Sequence, residues 1–101
     1  MRKCTVIMDD IRFVITLRKT LTANIIYDAM PIIGAAHKWG KEYYFHTEIK
    51  ANIEKGSKSV INKGEIAYWP NGNAIAIGYG KTPISISNEI RLADNCNIWA
   101  D

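Results

Sequence analysis

The sequence predicts a mainly β fold, a barrel or sandwich of short antiparallel strands. Three observations carry that expectation. Apolar residues recur with period two in several short runs, the signature of half-buried strands. Turn-forming residues punctuate the chain between those runs, at the even spacing of all-β architectures. A single stretch has helical spacing instead. Closing such a sheet removes the exposed edges that would otherwise pair with other chains.

In chain order, Cys4, Val6 and Met8 alternate with Lys3, Thr5 and Ile7, and Asp9-Asp10 supplies a turn. Phe13, Ile15 and Leu17 then alternate with Arg12, Val14 and Thr16, so the two runs form a hairpin. Thr20 or Thr22 caps a short helix, in which Ile25 with Ala29 and Ile26 with Met30 make one apolar stripe. Pro31 stops it, because the residue before a proline is pushed out of the α region. So short a helix needs a support and is expected to plug one end of the barrel. Ile32 to Trp39 is a poorer strand, interrupted by Gly34. Gly40-Lys41 turns into a good strand, with Tyr43, Phe45, Thr47 and Ile49 on one face and Tyr44, His46, Glu48 and Lys50 on the other. Between Ala51 and Lys63, two loop signals flank a short Ser59-Val60-Ile61 piece.

Gly64 to Pro83 is the central hairpin. Asn71-Gly72 is a strong signal for a tight primed turn, which places Gly72 at positive φ. Ile66 to Trp69 precedes it and Ala74 to Tyr79 follows. In the second arm Ile75, Ile77 and Tyr79 share one face while Ala74, Ala76 and Gly78 line the other. That pairing suits a closely packed wall or a place where another group approaches the backbone. Ile84 and Ile86 alternate with Ser85 and Ser87, Asn88 to Asn95 reads as loop, and Cys96 to Ala100 is a last strand.

Two blocks carry a family resemblance. Gly64-Glu65-Ile66-Ala67-Tyr68-Trp69-Pro70, Gly72 and Gly80-Lys81-Thr82-Pro83 form one, and Trp39-Gly40-Lys41-Glu42-Tyr43-Tyr44-Phe45 the other. Together they resemble the signatures of a cyclophilin-like family of small archaeal and bacterial proteins, over roughly Val6 to Ile98. The resemblance implies a small closed β-barrel with one or two short helices, and a biochemical role that is largely unassigned.

The 101 residues fit one domain, 1–101, and about 60–70% of the unfolded surface can be buried by a chain of this size. Charges are well mixed and the net charge is only +3, which disfavours nucleic acid as a partner. Cys4 and Cys96 are expected as reduced thiols, since nothing points to secretion. With no N-terminal apolar segment and no stretch of membrane-spanning length, a cytoplasmic location without membrane contact is expected, as a monomer or weak homo-oligomer.

No phosphate loop, CxxC pair, HExxH or Gly-x-Ser-x-Gly motif occurs, so no cofactor, metal ligand or catalytic residue is assigned. Two histidines, His37 and His46, with two distant cysteines make no zinc set. His46 and Glu48, two apart on a strand, have the spacing to orient an imidazole. The aromatics say more. In Tyr43-Tyr44 and Tyr68-Trp69, successive side chains point to opposite faces, so both members cannot enter one core. Trp39, Tyr44, His46, Tyr68, Trp69 and Tyr79 are therefore the candidate groove for a peptide or small ligand. Two alternatives stand beside a binding module. One is a peptidyl-prolyl isomerase, although Phe45-His46 is followed by Thr47 rather than arginine and the chain has no glutamine. The other is an RNA-associated accessory protein using Tyr68, Trp69 and lysines 55, 58, 63 and 81.

Overall fold

The computed structural model describes residues 2–101. It is mainly β, with one short helix. The first hairpin forms as its alternation requires. β1 (Lys3–Met8) pairs antiparallel with β2 (Ile11–Thr16), Cys4 opposite Ile15 and Val6 opposite Phe13. Asp9 makes the turn at φ 53°. Thr20 caps α1 (Leu21–Asp28), accepting a hydrogen bond from the Ala23 amide at 3.0 Å. Ala23 and Ile26 are fully buried, and Ile25 and Met30 pack beside them; Ala29 stays exposed at the helix end. The helix therefore lies on the core, against Ile15, Leu17, Trp99 and Ala100.

The remaining strands are β3 (His37–Lys38), β4 (Glu42–His46), β5 (Lys58–Ile61), β6 (Ile66–Trp69), β7 (Ala74–Gly78) and β8 (Ile90–Ala100). They form one sheet in the order β3-β4-β7-β6-β8-β5, every pairing antiparallel. A bridge between Leu17 and Ala100, flanked by reciprocal Thr16 and Asp101 backbone bonds of 2.8 and 2.9 Å, hangs the first hairpin on β8.

Closure is where expectation and structure part. Among the described residues no sheet closes on itself, because β1 has only β2 as a hydrogen-bonded neighbour. The facing segment, Met30 to Ala36, lies outside any strand, and Gly34 packs against Phe45 there. An open seam results, holding an apolar cavity of about 810 Å³ lined by β1, Met30 to Ile33 and the inner residues Phe45, Ile75 and Ile77.

Two further expectations are corrected. Asn71-Gly72 does not make a primed two-residue turn. Pro70–Gly72 is a single 3₁₀ turn, and the left-handed residue is Asn73, at φ 48°. Proline at the first position favours that turn, and asparagine tolerates the left-handed region. Gly72 is needed for space instead, since a Cβ there would lie 2.2 Å from the Trp69 ring. The stretch read as loop, Asn88 to Asn95, is largely strand. Ile90 and Leu92 are buried on one face of β8, which pairs with β5 at Ile90, Arg91 and Cys96, and the register shifts in an irregularity between Arg91 and Cys96, where Asp94 and Asn95 sit. The Ile84 and Ile86 alternation, by contrast, falls in an exposed turn region.

The large sheet buries both faces. Ile66, Tyr68, Ile75 and Trp99 join the core under the helix, while Ala67, Ala76, Leu92, Cys96 and Ile98 form a second core on the other side. The two cysteines thus belong to opposite cores, Cys4 half-buried and Cys96 buried, and both are free thiols in this structure.

Candidate functional site

Large residues on β4 face small ones on β7, and that mismatch opens a pocket in the second face of the sheet. Glu42 sits opposite Gly78, Tyr44 opposite Ala76 and His46 opposite Ala74. Trp69 at the end of β6 and Trp39 beside β3 stand around this floor, and Leu92, Ala93, Asp94 and Cys96 of β8 complete the wall. The cavity holds about 260 Å³, room for roughly nine waters at ~30 Å³ each.

Four of the six residues predicted from sequence, Trp39, Tyr44, His46 and Trp69, therefore meet in one place. The other two do not. Tyr68 is fully buried on the opposite face, its hydroxyl donating to the Ile49 carbonyl at 2.6 Å. Strand alternation sends it into the helix-side core when Trp69 faces the pocket. Tyr79, 39% exposed, stacks on Tyr43 with ring centroids 5.8 Å apart, again away from the pocket.

Glu42, Asp94 and Cys96 complete the site and were not selected from sequence. Glu42 is only 5% exposed, and among the described residues its carboxyl has no hydrogen-bond or ion-pair partner. Burial alone raises its pKa to about 7 from the usual 4.5, so the group is poised between acid and carboxylate near neutrality. Its signal was the parity it shares with Tyr44 and His46. Asp94 is the opposite case. Asn71 Nδ2 donates to its Oδ2 at 2.7 Å and Trp69 Nε1 at 3.2 Å, while the Asn95 amide binds Oδ1 at 2.8 Å. These donors hold its pKa below the ordinary aspartate value, the Asn71 bond foremost. Burial, then the charges of Glu42 and Asp94, push the Cys96 thiol up to about 12. The pocket is thus a locally negative place in a chain of net positive charge.

His46 is oriented by the turn rather than by Glu48. Its Nδ1 lies 2.9 Å from the Gly72 carbonyl, which can only accept, so the proton is on Nδ1 and Nε2 is left as an acceptor in the neutral ring. Tyr44 meets the His46 ring edge-on at 5.8 Å and lies 5.3 Å from His37.

The larger 810 Å³ cavity offers less chemistry. Its lining is mostly aliphatic and aromatic, with Lys3, Thr5 and Tyr27 its polar side chains, and the buried Trp99 Nε1 beside it, which has no partner among the described residues, has no accessible surface to offer a ligand. Among the described residues no three His, Cys, Asp or Glu side chains gather as a metal site, and no helix is long and apolar enough to cross a membrane.

No curated protein matches this sequence. Among solved structures, a hypothetical protein from Archaeoglobus fulgidus, determined in solution, superposes with a TM-score of 0.81 at 35% identity. The match covers 96% of this chain and 76% of that one. Residues 2–99 match the family described as Cyclophilin-like, and the chain belongs to that family.

Proposed function

We propose that this chain is a binding module for a small ligand or a peptide side chain, using the pocket between β4, β6 and β8 and without strong catalysis. The observation that supports it best is the buried, unpartnered Glu42 carboxyl beneath Trp39, Tyr44 and Trp69. Its carboxyl oxygens keep some accessible surface toward the pocket, so a ligand that supplies a donor there takes the place of solvent against a largely desolvated acid.

The isomerase alternative requires a guanidinium fixed over an apolar groove. Arg18 instead bridges Glu65 and Asp101 at 2.8 Å each, Arg91 pairs with Glu89, and Arg2 lies over Tyr27. The RNA alternative loses Tyr68 to the core and Lys58 to an ion pair with Glu65. Fragment titration followed by amide and indole NMR tests the binding proposal. Shifts gathered on the Trp39 and Trp69 indoles and on Ala74 and Ala76 are expected, with Trp99 unmoved. A fragment set that perturbs only the 810 Å³ cavity, or nothing, refutes it. Exchange NMR on a Phe-Pro peptide should show no isomerisation above the spontaneous rate.

A further inference from the structure

We infer that the ligand of this pocket is a primary alkylammonium group, carried either by a small free amine or by the end of a lysine side chain. The inference rests on the pocket being the binding site and names the chemistry it selects. Three aromatic walls, Trp39, Tyr44 and Trp69, surround two carboxyl groups, and aromatic faces attract cations most strongly where water is excluded. Glu42 is largely buried and has no protein partner among the described residues, while its oxygens stay accessible to a guest, so a cationic donor would supply both a hydrogen bond and a counter-charge. An ammonium with three N–H groups meets that need, with His46 Nε2 as a further acceptor. Asp94 is already ionised and fixed by Trp69 and Asn71, which adds a second negative charge at the same cavity. An anionic ligand would face Asp94 and the Glu42 carboxyl, and a neutral one would meet Glu42 without supplying a counter-charge to its ionised form. The 260 Å³ volume accommodates a short alkyl chain.

Binding is expected to release a proton. A cation favours the carboxylate form of Glu42, so affinity should rise as pH passes upward through about 7. With that value, the ionised fraction of Glu42 grows about tenfold between pH 6 and 8. The other titratable groups of the cavity are His46 and Tyr44 on β4 and Asp94 and Cys96 on β8, with His37 of β3 beside Tyr44 just outside it; β6 and β7 present none on this face.

The test is an NMR titration of the intact chain with n-butylammonium, the neutral n-butanol and Nα-acetyl-lysine-N-methylamide, at pH 6 and 8. Butylammonium is expected to bind at the Trp39 and Trp69 indoles at least about tenfold more tightly than butanol at pH 8. It should also gain about tenfold between pH 6 and 8. The lysine derivative binding more tightly than butylammonium assigns the source as a peptide, and the reverse order assigns a free amine. Glu42→Gln should abolish most of the charge preference, and Asp94→Asn should reduce it several-fold. If Glu42→Gln does not fold, the wild-type pH series and Asp94→Asn carry the test. Equal affinity for butanol and butylammonium overturns the cation inference and leaves the binding site standing. Silence of the pocket toward these probes and toward every neutral fragment overturns both.

Discussion

Replacing Glu42 with glutamine should make the protein more stable at alkaline pH. Glu42 is 5% exposed and unpartnered among the described residues, and its pKa in the folded chain is about 7 against 4.5 in ordinary surroundings. A raised carboxyl pKa means that the folded state holds its proton more tightly than the unfolded state. The resulting stability is fully present below pH 4.5 and is lost as pH rises through 7. At about 1.4 kcal/mol per pH unit, the wild type forfeits on the order of 3 kcal/mol across that window. Glutamine has the same shape and no charge to desolvate, so its stability curve lacks this loss. Urea denaturation of both proteins from pH 4.5 to 8, followed by tryptophan fluorescence, reads the difference. The curves should lie within about 1 kcal/mol of each other at pH 4.5 and diverge to about 3 kcal/mol by pH 8, the variant the more stable. A difference that does not change with pH, or one that favours the wild type as pH rises, would show that Glu42 is already paired in the empty protein.

Gly72→Ala should destabilise by about 1–3 kcal/mol, because the new Cβ must displace the Trp69 ring 2.2 Å away; an unchanged thermal midpoint would contradict the packing described. Tyr68→Phe leaves the Ile49 carbonyl without its hydroxyl donor and should cost about 1–2 kcal/mol in chemical denaturation, a neutral result refuting the buried bond. Arg18→Met, which releases Glu65 and Asp101, should weaken the protein above the ordinary carboxylate range. Both carboxyl groups are held below their usual pKa, so the wild type's advantage should fade as the solution is acidified, in denaturation midpoints taken between pH 3 and 7. In the native protein Cys4 should react with a thiol reagent well before Cys96, whose thiol is buried and raised to about 12; equal rates would refute that burial.

The alternations that placed β1, β2, β4 and β7 were legible in the sequence, because period-two patterning is local and each of these strands has one face more apolar or larger than the other, while β6 was legible from its run of strand formers. The cap at Thr20 and the stop before Pro31 were legible for the same reason: each is a property of a few neighbouring residues. The small face of β7 was visible too, and with it the choice between a packed wall and an approach to the backbone. The structure shows both along one strand, with Ile90 against Gly78 and an open pocket over Ala74 and Ala76. What the sequence left undecided depends on partners far along the chain. Asp94 and Asn95 are poor strand residues, and β8 runs through them because the residues on either side pair with β5 and β6. That extension carries Asp94 and Cys96 to within reach of Glu42, 52 residues earlier, and turns a surface-like acid into a buried one. Tyr68 and Trp69 are adjacent in sequence and equally eligible for a groove, yet Tyr68 falls on the face of the sheet that α1 covers and Trp69 on the opposite face, beside the second apolar cluster, and that decides which becomes core and which lines a site. The open seam beside β1 has the same origin: local pattern can specify a strand, but a hydrogen-bonded neighbour is supplied only by tertiary structure.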